Sequence, residues 1–200
     1  MTETAQTQLD FWYDLASTYS YVAAMRIEAR AAEANARLRW RPFLLGPIFA
    51  EQGWTTSPFN LFPAKGKYMW RDMERLCLDQ ELPFRKPDPF PQNSLLAARV
   101  ALVAEAQGFI AEFTKAVFVA EFAAGAQISD PDVLKEILRD FGHDPEAIMA
   151  VAVSDDNKAR LKAETEEAKR LGIFGAPSFV TKEGELFWGN DRLEQALDWA

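Results

Sequence analysis

The order of strand-like and helix-like segments constrains the fold of this chain most. Two β regions lie near its two ends, and about one hundred residues with helical periodicity, 65–171, separate them. In the first region, LDFWYDL (9–15) predicts a strand, residues 18–36 a helix, and the alternating LRWRPFLL (38–45) a second strand. In the last region, APSFVTK and ELFWG predict a hairpin, and a short helix follows from about Asp191.

The segments between the two β regions differ in character. Residues 46–64 mix Gly, Pro, Ser and Asn with large apolar residues, which predicts a structured loop. Residues 82–93 are rich in proline and predict a connector between helices. Asp130-Pro131 and Asp144-Pro145 each combine an N-cap residue with proline at the first helical position, so two helices are expected to begin there.

This order predicts an α/β fold, namely a thioredoxin-like domain with a large α-helical insertion. The thioredoxin-like domain is expected to be discontinuous, with residues 1–45 and 172–200 forming one sheet. Residues 46–171 are expected to form a connecting loop and a helical insertion domain. A Rossmann-like fold fits less well, because no GxGxxG follows the first strand and the helical block is too long for one crossover.

Charge and residue counts exclude several classes of function. The net charge of −8 argues against a nucleic-acid or anionic-membrane partner. The start, MTETAQTQLD, lacks the basic and apolar regions of a signal peptide, so we expect a cytoplasmic protein. With one cysteine (Cys77) and one histidine (His143), the chain has no intrachain disulfide, and we predict no metal site.

The turn from the first strand into the first helix contains Ser17-Thr18-Tyr19-Ser20. In thioredoxin-like folds this turn presents free backbone N–H groups and the positive end of a helix dipole, which together stabilise a thiolate. Redox members place Cys-x-x-Cys there, whereas two serines cannot cycle through a disulfide. A serine hydroxyl can still donate a hydrogen bond to the thiolate of an external thiol such as glutathione. The alternative is that Ser17 is only an N-cap residue.

Two later segments belong to the same prediction. Ala176-Pro177 opens the late β region, where a thioredoxin-like fold places a cis-proline opposite the first helix; the alternative is a trans-proline at the start of an edge strand. Asn190 and Asp191 lie at a turn into a helix. Asp191 is either an ordinary N-cap residue or a carboxylate that binds an α-amino group.

Four motifs in order resemble the 2-hydroxychromene-2-carboxylate isomerase family, which is related to the kappa-class glutathione transferases and the DsbA-type disulfide oxidoreductases. They are FWYDLASTYSY, LFPAKGKYMWRD, FGAPSFV and FWGNDRL, and they span residues 9–199. The resemblance implies a thioredoxin domain with a helical insertion, a bound glutathione and a homodimer. It makes Ser17 the residue that activates the glutathione sulfur.

The resemblance also implies how glutathione is held. Lys65, or Lys67 if the register shifts, reaches the glycyl carboxylate. Ala176 and Pro177 present backbone groups to the cysteinyl part. Asn190 and Asp191 hold the γ-glutamyl end; at the position of Asn190 the kappa class often has serine, and after the catalytic serine it has proline instead of Thr18.

The reaction that the resemblance implies is a cis–trans isomerisation of a small aromatic carboxylate in aromatic catabolism. The cation for that carboxylate is expected to be Lys65, Arg71 or Arg192. Candidates for an aromatic pocket are Phe11, Tyr19, Trp54, Phe59 and Trp188. Two alternatives stay open from sequence: a kappa-like glutathione transferase, and a non-catalytic thioredoxin-fold binding protein.

Overall fold

A four-stranded mixed sheet lies at the centre of the computed structural model, which describes residues 7–200. The strands are β1 (Thr7–Tyr13), β2 (Ala36–Pro42), β3 (Ser178–Thr181) and β4 (Leu186–Trp188). Their order is β2-β1-β3-β4, with β1 parallel to β2 and antiparallel to β3, and with β3 antiparallel to β4. The prediction that the early and late β regions share one sheet is therefore confirmed.

Ten α-helices surround this sheet within the part of the chain that the structure describes. They are α1 (Thr18–Glu33), α2 (Leu45–Glu51), α3 (Pro58–Leu61), α4 (Pro63–Asp79), α5 (Leu95–Gln107), α6 (Ile110–Val119), α7 (Pro131–Asp140), α8 (Pro145–Ala152), α9 (Asp155–Arg170) and α10 (Leu193–Trp199). A π-helical turn, Ala120–Ala124, follows α6, and a 3₁₀ turn, Asn190–Arg192, precedes α10. No helix among residues 7–200 combines the length and the apolar character needed to cross a membrane.

Both faces of the sheet are buried. On one face Phe11 and Tyr13 of β1 belong to the main core, together with apolar residues of the inserted helices. On the other face Trp12 packs with Phe43 and with Ala168 of α9. The proposed division of the chain into two domains stays a prediction, and α9, which lies within the expected insertion, covers a face of the sheet.

Residues 46–64 differ from the prediction of a loop, because α2, α3 and the start of α4 occupy most of them. Pro58 and Pro63 are the first residues of α3 and α4, where proline lacks only an N–H that the helix does not use. The Ser57 hydroxyl accepts a hydrogen bond from the Phe59 N–H at 3.3 Å and caps α3. These prolines begin helices here, whereas the sequence analysis interpreted them as signs of a loop.

Glu121, in the π-helical turn, is the most unusual polar residue of the core. Its side chain is fully buried, and within residues 7–200 neither carboxylate oxygen has a hydrogen-bond partner. Burial raises the pKa of Glu121 well above its ordinary value, and the charge of Asp14 raises it further. The folded protein therefore favours the neutral carboxyl group.

This environment makes stability depend on pH in a defined direction. A raised pKa in the folded state gives stability that is fully present below the unfolded pKa and is lost as the pH rises through the folded pKa. We therefore expect Glu121→Gln to raise the melting temperature more at about pH 8 than at about pH 5.5, because glutamine stays neutral at both. Thermal unfolding followed by circular dichroism measures this difference.

The control variant is Glu183→Gln, which removes one negative charge from the exposed turn between β3 and β4. Its effect on the melting temperature should be small at both pH values. If the gain of Glu121→Gln is equal at the two pH values, Glu121 is not held neutral by its surroundings.

Candidate active site

The turn between β1 and α1 is built around Ser17. The Ser17 backbone is extended, with φ −93° and ψ 119°, and its N–H donates to the Asp14 carbonyl at 3.0 Å. Its side-chain oxygen accepts a hydrogen bond from the Ser20 N–H at 3.3 Å, so Ser17, and not Thr18, is the N-cap of α1. The hydroxyl therefore lies at the positive end of a helix of 16 residues.

Ser17 also contacts the loop that leads into β3. Its hydroxyl donates to the Ala176 carbonyl oxygen at 3.0 Å, across a sequence separation of 159 residues. The Ala176–Pro177 peptide bond is cis, as predicted. No hydrogen bond among the described residues engages the Ala176 N–H, so this backbone donor is available beside Ser17.

Asn190 and Asp191 lie at the next turn, but the structure gives them different roles. Asn190 is buried, and its side-chain oxygen accepts from Arg26 Nε at 3.0 Å, while Arg26 also donates to its backbone carbonyl. Asn190 therefore anchors the turn to α1. The Asp191 side chain is 74% exposed, and its carboxylate lies 3.6 Å from the half-exposed Arg192 guanidinium.

One large cavity, about 1590 Å³, brings these parts together. Among the residues proposed from sequence for glutathione and substrate, its lining includes Ser17, Tyr19, Lys65, Ala176, Trp188, Asn190 and Asp191. Lys65 lines the cavity, with Nζ 4.9 Å from the centre of the Phe62 ring, whereas Lys67 does not line it. Pro177 is outside the cavity lining, and its carbonyl accepts a hydrogen bond from the Gly189 N–H at 3.0 Å.

Three of the proposed substrate residues lie outside the cavity lining. Arg192 is half-exposed, 3.6 Å from Asp191, and Arg71 forms an exposed ion pair with Glu74 on α4. Phe11 is fully buried in the main core. Because β1 is central, its side chains fill the two cores, so the aromatic character of Phe11 serves packing.

Aromatic residues form two parts of the cavity wall. One part, called the aromatic wall below, consists of Phe49 on α2, Trp54 in the segment between α2 and α3, and Phe59 on α3. The ring centres of Phe49 and Trp54 are 5.6 Å apart. Elsewhere in the lining, the half-exposed Trp188 packs on Phe174, with ring centres 4.9 Å apart.

Gly175, directly before Ala176, allows Trp188 to take this position. A Cβ atom at residue 175 would lie 2.4 Å from the Trp188 indole nitrogen. The glycine of the motif FGAPSFV therefore leaves room for the observed position of the tryptophan of FWGNDRL.

Tyr19 lies in the first turn of α1 and borders both the cavity and α4. Its hydroxyl donates to Asp72 Oδ2 at 3.0 Å, and its ring lies 6.2 Å from the ring of Phe59. Burial raises the pKa of Tyr19, and the hydrogen bond to Asp72 raises it further. Tyr19 therefore presents a neutral phenol to the cavity at physiological pH.

Asp14 is a cavity residue that the sequence analysis missed. It is buried, and its carboxylate accepts three hydrogen bonds, from the Ala16 N–H at 2.9 Å, the Leu45 N–H at 2.8 Å and the Ser94 hydroxyl at 2.7 Å. Burial raises the pKa of Asp14, and these hydrogen bonds oppose the increase. Asp14 joins the Ser17 turn to the starts of α2 and α5.

The residues around the cavity offer a distinct set of groups. Within residues 7–200 they include a hydroxyl at a helix N-terminus, a backbone N–H without an intramolecular acceptor, one lysine and an exposed carboxylate. This set offers donors to an anionic ligand and a carboxylate to a cationic one. Among residues 7–200 no group of three or more His, Cys, Asp or Glu side chains is placed to hold a metal ion.

Comparison with known proteins places these observations in a family. A family model described as DSBA-like thioredoxin domain matches residues 8–198. The chain is 28% identical to a 2-hydroxychromene-2-carboxylate isomerase of Sphingobium xenophagum, covering 93% of this chain and 94% of that protein. It is 24% identical to glutathione S-transferase kappa 2 of Caenorhabditis elegans, covering 94% of this chain and 89% of that protein.

The structural comparison agrees. A solved structure of a 2-hydroxychromene-2-carboxylate isomerase superposes with a TM-score of 0.86, covering 96% of this chain and 93% of that chain. The sequence identity to it is 22%, so this likeness shows the fold.

Proposed function

Since the chain belongs to the DSBA-like thioredoxin family, we propose that it is a glutathione-dependent isomerase of the 2-hydroxychromene-2-carboxylate isomerase type. The observation that carries this proposal is the position of the Ser17 hydroxyl. It lies at the N-terminus of α1, within hydrogen-bonding distance of the loop before the cis-proline. The two relatives described above, one named an isomerase and the other a glutathione transferase, support it.

The residues around Ser17 fit glutathione. Lys65 would bind the glycyl carboxylate, and Asp191 would bind the α-amino group of the γ-glutamyl end. The free N–H of Ala176 would pair with the cysteinyl backbone. Asn190 would act mainly through its backbone, because Arg26 occupies its side-chain oxygen.

Ser17 would lower the pKa of the bound thiol. Its hydroxyl would turn from the Ala176 carbonyl to the sulfur and donate a hydrogen bond to the thiolate, and the N-terminus of α1 would add positive potential. Bound glutathione would supply a nucleophile that adds reversibly to a conjugated double bond, so that this bond rotates as a single bond before the thiolate leaves. Cys77 cannot take that role, because it lies buried on α4.

The kappa-like glutathione transferase is the second candidate, favoured by the relative from Caenorhabditis elegans. The same site would serve both reactions, and the difference lies in whether glutathione is released or stays attached to the product. A non-catalytic binding protein is the third candidate. The homodimer and the role in aromatic catabolism stay predictions.

The isomerase proposal predicts that glutathione is regenerated in each cycle. A small amount of glutathione should support many turnovers of 2-hydroxychromene-2-carboxylate or of cis-benzylideneacetone, an uncharged conjugated probe. The concentration of free thiol, measured with a thiol reagent at the end, should be unchanged. S-methylglutathione should bind but support no reaction, because its sulfur cannot become a thiolate.

Each alternative gives its own result in this assay. Loss of thiol in proportion to a conjugate identifies a transferase. Binding of glutathione without reaction of either probe favours the binding protein. Reaction at the full rate without glutathione rules out a thiolate mechanism.

The two neighbouring lysines give a matched test of where glutathione binds. Both are exposed on α4, but only Lys65 lines the cavity. Lys65→Ala should weaken glutathione binding about tenfold through the loss of a charged hydrogen bond, and should raise KM more than it lowers kcat. Lys67→Ala should bind like the wild type. Isothermal titration of both variants measures the affinities, and equal affinities would mean that the glycyl carboxylate lies elsewhere.

A further inference from the structure

The turn that carries Asp191 is attached to the rest of the protein at two points. At its start, the Gly189 N–H donates to the Pro177 carbonyl at 3.0 Å. At the next residue, Asn190, the turn is attached to α1 through Arg26. Asp191 follows directly and belongs to the cavity lining. The place of Asp191 in the lining therefore depends on Pro177 and Arg26, which are both outside it.

Arg26 holds Asn190 through both its side chain and its backbone. The Arg26 Nε donates to the Asn190 side-chain oxygen at 3.0 Å, and Nη2 donates to the Asn190 backbone carbonyl. The remaining terminal nitrogen, Nη1, pairs with Glu194 on α10. The Arg26 side chain is only 18% exposed, and Asn190 is buried. Because a guanidinium is planar and directs its N–H groups in a fixed fork, these contacts set the orientation of Asn190 as well as its position.

The Asp191 carboxylate lies over the backbone of the same turn. A Cβ atom at residue 189 would lie 2.6 Å from Asp191 Oδ1, and Gly189 has a φ of +113°, in the region that favours glycine. Arg192 lies 3.6 Å from the other oxygen, Oδ2, which is longer than a hydrogen bond. The direction of the carboxylate therefore follows the conformation of residues 189–191.

Helix α1 connects this turn to the residue proposed to hold the sulfur. Ser17 caps the N-terminus of α1, and Arg26 lies further along the same helix. One rigid element thus fixes the Asn190 turn relative to the Ser17 hydroxyl. A ligand that spans both places needs this separation to be constant.

We propose that Arg26 is a positioning residue, which holds the turn so that the Asp191 carboxylate binds the α-amino group of a γ-glutamyl ligand. The inference rests on the proposed function, which assigns Asp191 to that end of glutathione. Arg26 would not touch the ligand, since it is outside the cavity lining. It would keep an exposed carboxylate in one place before the ligand arrives, which reduces the entropy that binding has to remove.

A ligand that lacks only the α-amino group separates positioning from general stability. This ligand is glutaryl-cysteinylglycine, in which hydrogen replaces the α-amino group of glutathione. Both ligands are titrated calorimetrically into the wild type and into Arg26→Met, which keeps an apolar stem without the guanidinium. The wild type should bind glutathione about tenfold more tightly than the analogue, through the charged hydrogen bond to Asp191. In Arg26→Met this ratio should fall below about threefold, because the carboxylate is no longer held in place.

Two further variants serve as controls. Arg30→Met removes a positive charge from the same helix and from the same partner, Glu194, which lies 3.5 Å from Arg30. It leaves both hydrogen bonds from Arg26 to Asn190 in place and should keep the wild-type ratio. Asp191→Asn should by itself remove most of the preference for glutathione, and adding Arg26→Met to it should not lower the ratio further.

A conservative variant keeps the test valid if Arg26→Met is too unstable to titrate. Arg26→Lys keeps the charge, but a single ammonium group cannot reproduce the fork that holds Asn190. It should therefore also lower the ratio of the two affinities. Thermal unfolding of each variant shows that the titrated protein is folded.

Each other outcome overturns the inference in a recognisable way. If folded Arg26→Met or Arg26→Lys keeps the wild-type ratio, even with both affinities reduced equally, Arg26 serves stability and does not position Asp191. If the wild type binds glutathione and the analogue equally, Asp191 does not bind the α-amino group, although the glutathione site stands. If the wild type fails to bind glutathione, the proposed function falls, and the inference falls with it.

Discussion

The hydrogen bond from the Ser17 hydroxyl to the Ala176 carbonyl joins the two halves of the candidate site. Ser17 lies in the turn after β1 and caps α1, while Ala176 precedes the cis-proline that leads into β3. The sheet makes this meeting possible, because β1 and β3 are neighbours with Trp12 opposite Ser178. Residues far apart in the chain thus converge at the positive end of one helix, where an anion is stabilised by N–H groups and the helix dipole.

Helices between β2 and β3 form the rest of the cavity lining. Asp14 accepts hydrogen bonds from the starts of α2 and α5, so these two helices are attached to the turn that carries Ser17. Gly66 lets α4 approach α3 closely, since a Cβ atom there would lie 2.2 Å from the Phe59 carbonyl oxygen. The same helix carries Lys65 at the cavity and Asp72 at the Tyr19 hydroxyl. The insertion therefore supplies the cation and the aromatic wall, while the sheet supplies Ser17 and the Ala176 backbone.

Local signals predicted much of this arrangement from the sequence. The caps at Ser17, Asp130 and Asp144 and the late hairpin follow from residue types that favour one local conformation. The cis Ala176–Pro177 bond was expected from the thioredoxin-like fold, since the residue types alone also allow a trans bond. Features that depend on partners distant in the chain were missed. Neither the three donors around Asp14 nor the isolation of Glu121 has a local signature. Similarly, the sequence placed Arg192 beside Asp191 without showing that it lies outside the cavity lining.

The central claim is that the Ser17 turn holds the sulfur of bound glutathione as a thiolate. The most direct measurement is the ultraviolet absorbance of the thiolate as a function of pH, for the glutathione complex minus the free protein. Cys77 does not interfere near neutral pH, because burial raises its pKa to about 11. The wild type should lower the pKa of the bound thiol from about 8.5 to below about 7.5, and Ser17→Ala should return it toward the free value. An unchanged pKa of the bound thiol in the wild type, or equal values in the two proteins, would contradict the account.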